Sequence, residues 1–337
     1  MGKASREAAR ERIKQERLRE QKRAQRNRVL AVVGAAAVVV LLVVGVGYLV
    51  MNSGGPDSDR EDLYAALPEQ TVQQDGSVVV GADESAPVVE VYADFQCPAC
   101  QKFEEASGPT LLEMAGEGSA VVHFRPVSIF AQRPAPLGPN SLRAAAAARA
   151  AADHGKFVEY NDILFANQPP EGQEGFSADD LKEWGTDVGI DSAEFAERVD
   201  SESEVANQYA DYSQELTSAA QEDLSEEQLG SMTMSELMEW GNEQGIDSSF
   251  LDGSFVKEVL DATDAADARY EGENQFSSTP SVYINGQLVD QDTAFSPERL
   301  RAAIEDAGPG EVSSEPLASG GAESGDQDAG APPETEE

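Results

Sequence analysis

The 337-residue chain holds two cysteines, Cys97 and Cys100, set three apart within YADFQCPACQKF, residues 92–103. A dithiol at this spacing has three chemical uses: a structural disulfide, half of a metal site, or a pair that exchanges disulfides with other thiols. A tetrahedral metal site requires four ligands, and the chain's two histidines, His123 and His154, are too far apart to form the usual half-site. The structural use is weak, because stabilisation grows with the loop closed and this pair encloses almost nothing. A reactive dithiol is what remains, and no metal or organic cofactor is expected. Pro98 and Ala99, between the thiols, add no charge, so any acidity must come from the backbone and the surroundings.

The neighbouring elements say how such a pair would be held. Upstream, APVVEVYADFQ is β-branched and aromatic and predicts a buried strand of about six residues. Downstream, Pro98 suits the first position of a helix that runs through QKFEEA to LLEMAG, with Gly108 and Pro109 expected to kink or interrupt it before Gly116 ends it. Cys97 then sits at a helix N-terminus, where free N–H groups and the macrodipole stabilise a thiolate and lower its pKa below about 8.5. Cys100, one turn on and facing the same side, is placed as the resolving thiol. SAVVHFRPV, Ser119 to Val127, predicts a second strand that completes a strand–helix–strand unit, and His123 reads as a packed or half-exposed strand residue.

From Ser141 to about Gly272 the pattern is helical, and His154 beside Gly155 reads as a helix C-terminal residue without chemistry. FSSTPSVYINGQLVD then predicts a strand, an Asn285–Gly286 hairpin turn and a short return strand. SPERLRAAIEDAG predicts a helix capped by Ser296, opened by Pro297 and ended by Gly308. Strands on both sides of a helical block predict an α/β domain with a long helical insertion at about residues 138–272. Within that insertion DLKEWGTDVGIDS, residues 180–192, recurs as ELMEWGNEQGIDS, residues 236–248. A duplicated helical hairpin explains this, with Trp184 and Trp240 as core residues.

Charge and hydropathy place the domain. Residues 1–28 hold eleven Lys/Arg against four Asp/Glu, whereas the whole chain has a formal charge of -39. A body this acidic repels phosphate backbones, which argues against a nucleic-acid partner. Val29–Met51 is an uncharged 23-residue run. As a helix it spans roughly 34 Å, enough for a hydrocarbon core of about 30 Å. It predicts a single transmembrane helix anchored in the lipid membrane, with the N-terminus cytoplasmic and the body extracytoplasmic, where disulfides persist. Residues 52–76 read as a linker with one helical turn at Leu63–Leu67, residues 77–308 as the folded domain, and residues 309–337 as an acidic disordered tail.

FQCPAC after a strand, AAAAARAAADHGKFVEYNDILFANQ opening the insertion and STPSVYING near the end, in this order, resemble the DsbA-like thioredoxin-fold proteins, in particular the membrane-anchored bacterial disulfide oxidoreductases. The resemblance spans about Ser77 to Ala307. It implies a thioredoxin-like fold, Cys97 as nucleophile, Cys100 as resolving thiol, and Pro98 and Ala99 as the active-site loop. It also implies Pro280 as a cis-proline, preceded by Thr279, beside which an extended substrate peptide lies. The activity implied is that of an extracytoplasmic thiol-disulfide oxidoreductase acting on cysteine thiols of exported proteins. Recycling would fall to a membrane quinone-linked oxidase of the DsbB or vitamin K epoxide reductase type. One departure stands out: many relatives hold a buried acid six residues before the first cysteine, where this chain has Val91. Glu90, one step away on a strand, faces the opposite side, so the proton of Cys100 needs water or another group. The direction expected is that of a disulfide-forming oxidase, with a reductase or isomerase as the alternative and a binding or chaperone module with an inert CPAC disulfide as the non-catalytic one.

Overall fold

The computed structural model describes residues 56–81 and 85–315. The expected basic segment and the expected membrane span at 29–51 lie outside them, and among the described residues no helix is long and apolar enough to cross a membrane. Among the described residues helix α1 (Pro56–Ala66) comes first, and those from Leu63 to Glu315 belong to one compact unit. Six strands form its sheet: β1 (Gln70–Val72), β2 (Val78–Val80), β3 (Val88–Ala93), β4 (Val121–Pro126), β5 (Ser281–Ile284) and β6 (Gln287–Leu288). Their order is β1-β2-β4-β3-β5-β6; β3 and β4 are parallel, and the other pairs are antiparallel.

Helix α2 (Pro98–Gly116) joins β3 to β4 and completes the expected strand–helix–strand unit. It is continuous through Pro109, contrary to the expected interruption. Gly108 lies against the buried Glu104 side chain, whose carboxylate oxygen would be 2.4 Å from an added Cβ. The β5–β6 turn is the expected Asn285–Gly286 hairpin, with φ of 49° and 78° at its two central residues, the left-handed pair that a tight hairpin requires.

Two expectations about the margins are corrected. The presumed linker contains α1 and β1, and β1 pairs with β2 in the order Gln70–Val80, Thr71–Val79 and Val72–Val78, so the sheet starts before Ser77. Three residues of strand flanked by polar chain leave too short a pattern to read. Of the tail expected to be disordered, residues 309–315 instead run beside the sheet, and residues 316–337 lie outside the described residues. Gly310 N–H donates to the Ala86 carbonyl at 3.3 Å, and Val312 packs on Val79, Val88 and Val121.

The insertion consists of α3 (Leu137–Ala152), α4 (Phe157–Ala166), α5 (Ala178–Asp187), α6 (Ala193–Asp223), α7 (Glu226–Ser231), α8 (Met234–Glu243) and α9 (Phe255–Arg269). Helix α3 is alanine-rich, a strong helix-forming composition. Its small side chains are almost all buried, which lets α6 and α9 lie close against it. The sequence repeat is a structural repeat: α5 and α8 each end at a glycine with φ of 88°, Gly189 and Gly245. Each also closes with a matching bond, from Ile190 N–H to Gly185 O at 2.8 Å and from Ile246 N–H to Gly241 O at 2.9 Å. The two copies rest on different ends of α6: Gly185 meets Phe195 and Gly241 meets Leu216. Trp184 and Trp240 are half-buried and pack on the core's edge. Two short C-terminal helices, α10 (Gln291–Ala294) and α11 (Pro297–Asp306), complete the fold, with Ser296 as the N-cap of α11.

Along β3 the side chains divide. Val89 and Val91 enter the main core with Cys100, Phe103 and Leu111, while Tyr92 packs with Phe276 and Tyr283 in a separate cluster. Glu90, as the strand period requires, is turned away from the cysteines. It accepts from Arg125 Nε at 2.6 Å and from the Tyr270 hydroxyl. Arg125 also pairs with Asp75, which in turn accepts from Arg269 Nη2 at 3.1 Å. Both arginines donate to the Ser313 carbonyl.

Candidate active site

Cys97 is the N-cap of α2, with extended backbone (φ -83°, ψ 116°), and Pro98 occupies the first turn. The proline's fixed φ and missing N–H fit that position. Both thiols are free, and they are unequally covered: Cys97 is 7 % exposed, Cys100 1 %. Pro98, beside the first cysteine, is exposed and Ala99 half-buried. The turn is closed by Cys97 N–H donating to Asp94 O at 3.0 Å and by Cys100 N–H donating to Cys97 O at 3.0 Å.

Across from this turn lies the loop before β5. The Thr279–Pro280 bond is cis, as the resemblance implied, and the Cys97 Sγ–H donates to the Thr279 carbonyl at 3.3 Å. The Thr279 hydroxyl is buried with no hydrogen-bond partner among the described residues; its dipole favours the thiolate of each sulfur. A second cis bond, Ala135–Pro136, precedes α3 and had no sequence signal.

The electrostatics separate the two thiols. The hydrogen bond from the Cys100 thiol is the largest influence on Cys97; burial opposes it, and the Thr279 hydroxyl and the Cys100 and Ala99 N–H groups assist it. The result is a Cys97 pKa lowered to about 5. Burial drives Cys100 the other way, well above the ordinary thiol range, and the bond to Cys97 and its negative charge add to this. The expected helix-terminus effect is present in the two N–H groups, but the neighbouring thiol exceeds it.

The insertion supplies part of the frame. Gln168 Nε2 donates to the carbonyls of Phe95 at 2.7 Å and Cys97 at 3.1 Å, and Asn140 Nδ2 donates to Gln96 Oε1 at 3.2 Å. Asp94 is fully buried at the end of β3; its Oδ1 accepts from Gln96 N–H at 2.8 Å and from Ser141 Oγ at 2.8 Å. Sequence reading missed Asp94, Ser141, Gln168 and Asn140, because their partners lie tens of residues away. The one local signal was Asp94 itself, an Asx residue two before a turn N–H. His123 is buried in β4 at 6 % exposure and lies beside the ionic cluster of Arg125 and Asp75 rather than with the sulfurs.

Among known proteins, the family model Thioredoxin_4, described as thioredoxin, matches residues 73–306. No curated protein sequence matches the chain. Solved structures with similar chain traces include the thiol-disulfide oxidoreductase MdbA of Corynebacterium diphtheriae, at 18 % identity and a TM-score of 0.42, covering 71 % of this chain and 93 % of that one. They also include the reduced disulfide bond oxidoreductase DsbG of Mycobacterium tuberculosis, at 20 % and 0.43, covering 68 % and 86 %. Oxidised BdbD of Bacillus subtilis is a third, at 16 % and 0.40, covering 71 % and 95 %.

Proposed function

We propose that this chain, which belongs to the thioredoxin family Thioredoxin_4, is a DsbA-like thiol-disulfide oxidoreductase working as a disulfide-forming oxidase on the extracytoplasmic side of a membrane. The observation that carries this reading is the inequality of the thiols. Cys97, with a pKa near 5, is a thiolate at neutral pH and a good leaving group, while Cys100 is buried and protonated. Stabilising the thiolate stabilises the reduced pair, and that makes the disulfide a stronger oxidant.

The cycle starts from the Cys97–Cys100 disulfide. A substrate thiolate attacks Cys97 Sγ, the internal S–S bond breaks, and Cys100 leaves with the electron pair and takes a proton. A second thiolate of the substrate attacks its own sulfur in the mixed disulfide, and Cys97 leaves as the stabilised thiolate. The substrate gains a disulfide and the protein holds two electrons. Thr279 and Pro280, level with Cys97, offer the surface against which an extended peptide aligns its cysteine. The acidic body and the apolar run at residues 29–51 support a tethered enzyme acting on exported proteins. Reoxidation would fall to a membrane quinone-linked oxidase of the DsbB or vitamin K epoxide reductase type.

The test is the redox equilibrium of the purified protein against glutathione. The oxidase reading expects a potential nearer about -120 mV than the roughly -270 mV of thioredoxin; a value at the thioredoxin end sinks the direction. Cys100→Ser is expected to accumulate mixed disulfides with exported proteins and Cys97→Ser to form none. Loss of turnover without any trapped adduct would count against thiol exchange altogether, and retained partner binding by Cys97→Ser would favour a binding module.

A further inference from the structure

A buried acid lies three residues before Cys97. Asp94 is fully buried, and its peptide group contacts both cysteines: the carbonyl accepts from Cys97 N–H at 3.0 Å, and its own N–H is directed at the Cys100 sulfur. Continuing the β3–β5 register past Tyr92–Ser281 brings Asp94 level with Thr279, whose carbonyl meets Cys97 Sγ. The groups facing the carboxyl are neutral donors. They are Gln96 N–H in the turn, Phe130 N–H at 3.4 Å in the β4–α3 loop, and Ser141 Oγ at 2.8 Å on α3. The titratable neighbour acting on it is Cys97, whose charge opposes its ionisation.

Beyond Ser141 stands a second hydroxyl, Ser128 Oγ, at 2.6 Å, and either oxygen of this pair can be the donor. That freedom matters. A carboxylate at Asp94 accepts from Ser141, which accepts from Ser128; a carboxylic acid donates to Ser141, which then donates to Ser128. Both protonation states keep their partners, so the site is built to change state without leaving a buried polar group unpaired. Ser128, itself buried, belongs to the wall of a groove of about 430 Å³ that Ile129, Met232, Thr263 and Phe276 also line.

We propose that the Asp94 carboxyl is a proton store for the cysteine pair, filled when Cys97 becomes a thiolate, emptied when Cys97 enters a disulfide, and connected to the groove through Ser141 and Ser128. Asp94 acts through Cys97 and is therefore a positioning residue. In balance, a substrate dithiol, the Cys97–Cys100 disulfide and the Asp94 carboxylate become a substrate disulfide, a Cys97 thiolate, a Cys100 thiol and an Asp94 carboxylic acid. Two electrons move to the pair, and the two substrate protons come to rest on Cys100 and Asp94. The thiolate thus forms without a second negative charge beside it. Burial, opposed by the three hydrogen bonds and reinforced by Cys97, puts the Asp94 pKa at about 7, where such an exchange is reversible.

The inference rests on Cys97–Cys100 being a redox pair, and its test needs no turnover, so the two readings fail separately. In the reduced full chain in detergent, the rate of Cys97 alkylation by iodoacetamide is followed against pH. Two steps are expected: one as Cys97 ionises and a second, about threefold, near pH 7 as Asp94 ionises and makes the thiolate more basic. Asp94→Asn is expected to keep the first step and lose the second. Ser141→Ala, which removes a bond favouring the carboxylate, is expected to move the second step to higher pH, and it serves if Asp94→Asn does not fold. An infrared carboxylic-acid band should grow on reduction at pH 6.5. A single step in the wild-type chain, a second step that survives Asp94→Asn or stays in place in Ser141→Ala, or a band indifferent to redox state overturns the proposal.

Discussion

Val91 and Glu90 differ by one step along β3 and by everything in their surroundings: the first joins the core beneath Cys100, the second pairs with Arg125 on the opposite face. That division was legible in the sequence, because a strand's period of two fixes it. Asp94 was not, because its setting depends on Ser141 and Phe130, which the chain brings in from α3 and the preceding loop. His123 makes the same point with a measurable consequence. Burial lowers its pKa to about 4, the Arg125 charge adds to this, Asp75 opposes it and Arg269 assists. A base held neutral in the fold binds a proton more readily when unfolded, so it favours the folded state fully above about pH 6.5 and progressively less down to about pH 4. Replacing it by Leu should remove up to roughly 3 kcal/mol of pH dependence across that window. Asp94 has the opposite sign: raised to about 7, it weakens the fold as pH rises from about 4. The two slopes offset each other in the wild type, so the comparison has to be made by urea unfolding of both proteins at pH 7, 5.5 and 4. Parallel stabilities would show that His123 titrates no differently in the two states.

At the scale of elements, the strand–helix–strand unit, the hairpin and the last helix follow from Pro98, Asn285–Gly286 and Pro297, residues whose local geometry admits few alternatives. Pro109 does not interrupt α2, because a proline's effect depends on what surrounds its turn, and the helix runs on through it. The repeat was visible, but its meaning required the structure: the shared Trp-Gly pair places a bare backbone against α6. An added Cβ at Gly185 would come within 2.2 Å of the Phe195 ring, a rigid, buried neighbour. Gly185→Ala is therefore expected to destabilise by about 1–3 kcal/mol through overpacking, more than the roughly 1 kcal/mol that alanine's helix preference returns. Gly230, helical with nothing within 4 Å of an added Cβ, should tolerate the same change with a gain of about 0.4–1 kcal/mol. Thermal unfolding of the two variants should move in opposite directions, and movement of both the same way would refute the packing account.

Across the described residues, the segments that flank the sheet, 70–76 and 309–315, are tied to it more closely than their composition suggested. Polar sequence near 70–76 and 309–315 reads as linker and tail because the partners that hold it are distant: Arg125 and Arg269 grip Ser313, and Asn285 Nδ2 donates to Gly308 O at 2.9 Å. Removing residues 309–337 should cost about 1.5–3 kcal/mol, the scale of losing hydrogen bonds from charged donors. Truncation after Glu315, which keeps every one of these contacts, is the reference variant in the same denaturant titration. Equal midpoints for the two truncations would mean that Ser313 contributes nothing. The cysteine turn is framed by Gln168 and Asn140 of the insertion, whereas the two copies of the repeat set their glycines on α6, at Phe195 and Leu216. Inheritance can work on that separation. The copies lie 56 positions apart in sequence, and a gene could gain or shed one of them by recombination while every strand kept its register and the dithiol its chemistry.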